Sequence, residues 1–80
     1  MLKCVYQLAS GKRQKVGNHE VVKEGSFIFH FFHYWTEICT ADVLNKTFKV
    51  THGGYYTSST TRAINSYREY FTSKGFEEVS

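Results

Sequence analysis

The sequence predicts an α+β domain, an antiparallel sheet of about four strands with one C-terminal helix packed on one face. Three patterns predict this class. Apolar and polar residues alternate over residues 2–9, aromatic and β-branched residues dominate residues 26–44, and apolar residues recur at helical spacing over residues 59–74. Because 80 residues are the size of one domain, residues 1–80 are expected to form a single unit.

The N-terminal segment, residues 2–9, is predicted to be a strand. Its alternation places Leu2, Cys4, Tyr6 and Leu8 on one apolar face. The turn residues at 10–14 end this strand, and residues 15–23 form a weaker second strand with a candidate bulge at 17–18.

The segment 26–44 is predicted to be one long strand because its helical periodicity is poor. A two-residue turn, 45–46, would join it to a strand over 47–52, with Asp42 opposite Lys49. A longer loop is the alternative, since Asn-Lys suits such a turn less well than Asn-Gly. The shared apolar face would carry Cys39, Ala41, Val43, Phe48 and Val50.

The C-terminal helix is predicted over residues 59–74, with Ser58 or Ser59 as the N-cap. Gly75 is placed for a left-handed C-cap, and Phe76 for the hydrophobic contact that accompanies it. The apolar stripe of the helix consists of Ala63, Ile64, Tyr67, Tyr70 and Phe71.

The run "FIFHFFHYW", residues 27–35, concentrates apolar surface on both faces of the predicted strand. The face toward the helix would carry Phe27, Phe29, Phe31, His33 and Trp35. The opposite face would carry Ile28, His30, Phe32, Tyr34, Thr36 and Ile38. Since one helix covers one face, three explanations compete for the second face: a curled N-terminal hairpin, a second copy of the chain, or a different partner.

Several classes of function are not predicted. Nine apolar residues are too few for a membrane span, which needs about 20. His30 and His33 lie three residues apart, on opposite faces of a strand, so they predict no shared metal site and no cofactor. No nucleophile has a recognisable catalytic context, so no enzyme is predicted. The N-terminus lacks a signal-peptide pattern, which predicts a cytoplasmic protein with reduced Cys4 and Cys39.

The net charge of +3 is mildly basic and leaves nucleic-acid binding open. Tyrosines on a loop could stack on bases, and the basic residues could contact phosphates. The alternative is that the tyrosines cap the edge of the core. The candidate nucleic-acid residues are Lys12, Arg13, Lys15, Lys46, Lys49, Tyr55, Tyr56 and Arg62.

The stretch "GGYYTSSTTRAINSYREYF", residues 53–71, resembles the C-terminal part of small bacteriophage proteins. In these, a Tyr-Ser-x-Thr-Thr turn leads into a helix that begins Arg/Lys-His-x-Asn. Here Ala63 replaces the usual histidine, and Thr57 intervenes between Tyr56 and Ser58. The matching positions are Tyr56, Ser58, Thr60, Thr61, Arg62 and Asn65. The resemblance covers about half of the chain.

The resemblance implies a phage protein that acts in the cytoplasm of a host bacterium. Small non-enzymatic phage proteins often bind host machinery, including defence complexes such as CRISPR effectors. We therefore predict steric inhibition of a host protein or ribonucleoprotein complex, with a nucleic-acid-binding accessory protein as the alternative. The predicted partner-binding residues are Ile28, Phe32, Tyr34, Arg62, Asn65, Arg68 and Glu69.

Overall fold

A computed structural model describes residues 2–54 and 57–79, which form two helices and a six-stranded mixed sheet. The elements are α1 (Lys3–Ala9), β1 (Lys15–Val16), β2 (His19–Glu24), β3 (Ile28–His33), β4 (Thr36–Asp42), β5 (Thr47–Val50), α2 (Ser58–Ser73) and β6 (Glu77–Glu78). The strands lie in sequence order from β1 to β6, antiparallel except for the parallel pair β5 and β6. The predicted α+β class and the C-terminal helix are confirmed. The predicted sheet of about four antiparallel strands has fewer strands than the observed sheet, which is mixed.

The predicted first strand is wrong, because residues 3–9 form helix α1. Val5 and Leu8 are three residues apart, share one face of that helix and are fully buried. The Leu2 amide donates to Ser66 Oγ at 3.1 Å and joins the start of α1 to α2. With no N-terminal hairpin at residues 2–9, a curled hairpin over the second sheet face is also excluded.

The segment 26–44 is not one strand but the hairpin of β3 and β4, which turns at Tyr34 and Trp35. Both turn residues have positive φ angles, 51° and 65°. The pairing shifts after Phe31, which faces Cys39, while Phe32 faces Glu37. Ile38 is the extra residue of this bulge, and it turns into the core instead of lying on the predicted opposite face.

The prediction is also wrong for two of the residues that it assigned to the face toward the helix. Trp35 lies on the turn and is 88% exposed, and Phe27 precedes β3 and is exposed. Phe31 and His33 are buried under the helices as predicted, and Phe29 is partly buried against the same core.

The hairpin of β4 and β5 has the predicted faces but a different register. Asp42 faces Thr47 and Lys49 faces Thr40, so the predicted pairing of Asp42 with Lys49 is wrong by two residues. A loop over 43–46 replaces the two-residue turn, because the Asp42 carboxylate accepts hydrogen bonds from the Asn45 amide and Nδ2 at 3.1 and 2.8 Å. A shift of two preserves strand parity, so Cys39, Ala41 and Phe48 remain in the core. Val43 was predicted on the same face, but it lies in the loop after β4 and is 41% exposed.

Helix α2 matches its prediction closely, since the whole predicted stripe is buried. Its N-cap is Thr57 rather than Ser58 or Ser59, and Thr57 Oγ1 accepts from the Thr60 amide at 3.2 Å. At the C-terminus, the Phe76 and Gly75 amides donate to the Phe71 and Thr72 carbonyls at 2.9 and 3.1 Å. This is the predicted Schellman end, with Gly75 at a φ of 85°.

Both helices pack on the same face of the sheet. The core between the layers consists of Val5, Leu8, Phe31, Ile38, Cys39, Ala41, Phe48, Ala63, Ile64, Tyr67, Tyr70 and Phe71. Arg68 on α2 donates from Nε and from its second terminal nitrogen to Glu78 on β6, at 2.8 and 3.0 Å. The other face of the sheet, called the outer face below, carries no helix in the described part of the chain.

Candidate interaction surfaces

The outer face combines exposed apolar side chains with acidic ones. Its apolar part is formed by Val22, Ile28 and Phe32, of which Val22 is 47% exposed and the other two are half-buried. The register also assigns five carboxylates to this face: Glu20, Glu24, Glu37, Asp42 and Glu77. The basic residues of the strands on this face are Lys15 and Lys49.

Charge is therefore segregated across the sheet. The outer face holds five of the seven acidic residues but two of the ten lysines and arginines. The remainder of the chain carries eight basic residues against Glu69 and Glu78. A chain with a net charge of +3 thus has one face on which acidic residues outnumber basic ones, while basic residues predominate in the remainder of the chain.

The centre of the outer face is a hydrogen-bonded cluster around His30. Its Nδ1 contacts Glu37 Oε2, and its Nε2 lies 2.6 Å from Glu24 Oε1. The Thr40 hydroxyl donates to Glu37 Oε2 at 2.7 Å. Ionised carboxylates only accept hydrogen bonds, so two carboxylate partners favour the doubly protonated imidazolium.

The pKa values of this cluster follow from those contacts. The hydrogen bonds to Glu37 and then to Glu24 raise the pKa of His30 above its usual value. Burial favours the neutral Glu37 carboxyl, but hydrogen bonds from Thr40 and His30 outweigh it and lower the pKa of Glu37. The contacts thus favour an imidazolium between two carboxylates, a polar centre within the apolar part of the face.

The turn between β3 and β4 is the most unusual backbone feature. A two-residue hairpin turn with two positive φ angles favours Asn-Gly, whereas here it holds Tyr34 and Trp35. The left-handed conformation costs a bulky residue about 1–2 kcal/mol. Trp35 recovers little of this cost through burial, because 88% of it is exposed, and Tyr34 is 57% exposed.

A cleft of about 290 Å³ separates this turn from the N-terminus of α2. It is lined by His33, Tyr34, Trp35, Thr36, Ile38, His52, Thr57, Ser59 and Thr60. None of these lining residues is acidic. A smaller recess lies on the other side of Tyr34 and Trp35, where Lys15, Glu20 and Phe32 contribute to its wall.

Two stacked histidines support the turn from the side of β2. The rings of His19 and His33 lie 4.3 Å apart and 8° from parallel. His33 Nδ1 shares a hydrogen bond with Thr60 Oγ1 at 3.0 Å, which ties β3 to the first turn of α2. Burial lowers the pKa of both histidines, and the charge of His33 lowers that of His19 further. Both shifts favour the neutral form of the two rings at neutral pH.

The predicted partner-binding residues form two groups on opposite layers. Ile28 and Phe32 lie on the outer face, and Tyr34 lies at its end. The other group, on helix α2, consists of Arg62, Asn65, Arg68 and Glu69. Arg68 binds Asn65 Oδ1 as well as Glu78, so both side chains participate in a contact within the domain.

The predicted nucleic-acid residues do not converge on one patch. Lys12 and Arg13 follow α1, and the Lys12 ammonium lies 5.1 Å above the Tyr6 ring. Lys15 on β1 and Lys49 on β5 are four strand spacings apart, about 19 Å. Lys46 lies in the loop before β5, and Arg62 is exposed on α2. Tyr55 and Tyr56 lie outside the described residues.

Sequence reasoning missed two features of these surfaces. The His30 cluster depends on Glu24 and Glu37, which flank β3 on two different neighbouring strands, and only the correct register brings them together. Trp35 was placed in the core because the segment was treated as one strand. An aromatic pair between two alternating runs, with Thr36 restarting the pattern, is the signal that could have revealed the turn.

No metal centre is formed by the described residues, where no three His, Cys, Asp or Glu side chains gather suitably. Cys4 and Cys39 are both free thiols, and burial raises the pKa of the Cys39 thiol. Within residues 2–54 and 57–79, neither helix has the length and apolar character needed to cross a bilayer. Comparison with protein-family models, with curated proteins and with solved structures gave no match.

Proposed function

We propose that the protein is a non-enzymatic binding module that docks a partner protein on its outer face. The observation that supports this proposal is the uncovered outer face, where Val22, Ile28 and Phe32 surround the His30 cluster. Apolar side chains on an uncovered face, together with polar and charged groups, are typical of protein interaction sites. The acidic majority of this face suits a partner that presents lysines or arginines around apolar side chains.

A second copy of this chain is the less favourable occupant. In a two-fold symmetric dimer, the same acidic patch faces itself. Five carboxylates on each side would then oppose one another across the interface, and the two lysines and the protonated His30 of each copy offset them only in part. The charge of the face therefore favours a different, basic partner over self-association.

Steric inhibition of a bacterial host complex, such as a CRISPR effector, is the specific form of this proposal that the sequence resemblance predicts. A protein or ribonucleoprotein that binds nucleic acid has the basic surface that the outer face would complement. A small module seated on such a surface would block its access to nucleic acid without any chemical step.

The proposal is tested by photo-crosslinking in bacterial cells that express the chain. A photoreactive residue at Phe32 is expected to capture a protein that the same residue at Leu44 does not capture, since Leu44 lies in an exposed loop beyond β4. Equal capture from both positions, or capture only of a second copy of the chain, would overturn the proposed partner.

A charge-matched pair of variants then tests the chemistry of that partner. Val22→Lys and Val22→Glu remove the same exposed side chain, with opposite charge. Binding of the captured protein should weaken with Val22→Lys and be retained with Val22→Glu, because a basic partner is repelled by the added lysine. The opposite order, or equal effects, would contradict a basic partner.

A further inference from the structure

The geometry points to a second binding site, independent of the outer face: we infer that the cleft between Trp35 and the start of α2 binds one nucleotide of a single-stranded nucleic acid. Its base would stack on the Trp35 indole. Its phosphate would lie at the acid-free rim of the cleft.

The first argument is the exposure of Trp35. The tryptophan is held at a turn position that favours asparagine or glycine, and 88% of its surface is open. Strained backbone that presents a side chain to solvent is typical of binding sites. An indole offers a broad stacking face to any base, which is the sequence-tolerant contact used by single-strand binders.

The second argument is the size and lining of the cleft. A volume of about 290 Å³ lies just below the range of about 300–1,000 Å³ for small-molecule sites, which suits one base rather than a larger ligand. Ile38 and the neutral His33 ring supply apolar and uncharged wall, and Ser59 supplies a hydroxyl. No lining residue is a carboxylate that would repel a phosphate.

The third argument is the electrostatic setting. Outside the outer face the chain carries eight basic residues and two acidic ones, and the cleft lies between the Trp35 turn and the start of α2. Arg62 follows Ser59 by three residues and is therefore its neighbour on the helix surface. On the other side of Trp35, Lys15 lines the smaller recess together with Glu20, which faces it across β1 and β2. A strand bound in the cleft could thus meet a cation, Arg62, on the side of α2.

The experiment uses Trp35 as its own reporter, because it is the single tryptophan of the chain. An oligothymidylate of about 12 nucleotides should quench the tryptophan emission saturably. Thymidine 5′-monophosphate should do so at concentrations at least about tenfold higher, since it lacks the flanking phosphates. Free N-acetyltryptophanamide controls for collisional quenching. A linear response identical to that of this compound would overturn the inference.

Anisotropy of a fluorescently labelled oligothymidylate supplies a readout that does not need the tryptophan. Trp35→Ala should weaken binding by roughly 5- to 100-fold, the range for loss of one stacked base. Trp35→Phe should retain most of the affinity, and Leu44→Ala, which alters an exposed apolar residue at the other end of β4, should have no effect. Circular dichroism verifies that each variant is folded.

Three outcomes would refute the site. Equal affinity of Trp35→Ala and the wild type would show that no base stacks on Trp35. Binding that is insensitive to salt would show that the protein makes no contact with the phosphates. Equal affinity for the mononucleotide and the oligonucleotide would show that the cleft binds a free nucleotide and not a single strand. None of these outcomes bears on the protein partner of the outer face, whose test uses Phe32 and Val22.

Discussion

Replacing Tyr67 by phenylalanine should stabilise the protein. Tyr67 lies at the centre of the core, 0% exposed, with its ring 4.6 Å from that of Phe31. Its hydroxyl has no hydrogen-bond partner among the described residues. An unsatisfied buried polar group costs about 1–3 kcal/mol, and the substitution removes that group while it keeps the ring.

The small void left by the oxygen sets the opposing cost. A void of about 15 Å³ costs roughly 0.4 kcal/mol, at about 24 cal/mol per Å³. The net expected gain in the free energy of unfolding is therefore about 0.5–2.5 kcal/mol. For a domain of this size, each kcal/mol raises the melting temperature by about 4–8 °C.

Urea and thermal unfolding, followed by circular dichroism, measure this gain. Tyr6→Phe is the matched control, because Tyr6 is 42% exposed rather than buried in the core. That control should change the stability by less than about 0.5 kcal/mol. A loss of stability in Tyr67→Phe would refute the reasoning, since it would mean that the hydroxyl makes a favourable bond.

Three further predictions concern the surfaces. The His30 ring should titrate by NMR with a pKa above about 6.5, so its contribution to stability is complete below that pH and declines as the pH rises through the pKa of the folded state. Glu37→Gln should lower the midpoint of this titration, and an unchanged midpoint would contradict the cluster. Trp35→Gly should raise the free energy of unfolding in urea by about 1 kcal/mol, because glycine relieves the left-handed strain; a decrease would show that the indole packs on the fold. Gly53→Ala should destabilise the protein more than Gly25→Ala, because both glycines have a φ near 60° but only at Gly53 would the new methyl overlap Thr36 Cγ2. Equal decreases in the melting temperature of the two variants would refute this.

The parts of the fold that the sequence predicted are those with a local signal. Helix α2 carries its stripe, its capping residues and its terminating Gly75 within one segment, so its limits and its buried face were predictable. The faces on which the side chains of β4 and β5 lie were predictable although the predicted register is wrong, because a shift of two residues keeps every side chain on its face.

The errors arose where the competing patterns share the same residues. At the N-terminus, Leu2, Val5 and Leu8 fit one face of a helix nearly as well as Leu2, Cys4, Tyr6 and Leu8 fit one face of a strand, and packing on α2 decides between the two. The Tyr34 turn lacks the glycine or asparagine that normally indicates a hairpin. The bulge that turns Ile38 inward depends on contacts across β3 and β4, which no local pattern contains.

The candidate surfaces were only partly predictable for the same reason. Ile28 and Phe32 were assigned to the second face correctly, since their parity on β3 does not depend on the turn. The cleft joins His33, Trp35 and Ser59, which come from three separate elements. Their proximity depends on tertiary packing, so the residue pattern alone could not predict it.

The segregation of charge across the sheet gives the molecule a permanent electric dipole along the direction from the outer face to the helices. Near a polyanion, such a dipole turns the helical side inward before any contact forms, and leaves the acidic face pointing away. This alignment acts within roughly 8 Å at physiological ionic strength, the distance over which salt screens the field. Orientation, and not only net attraction, would therefore decide which face a partner meets first.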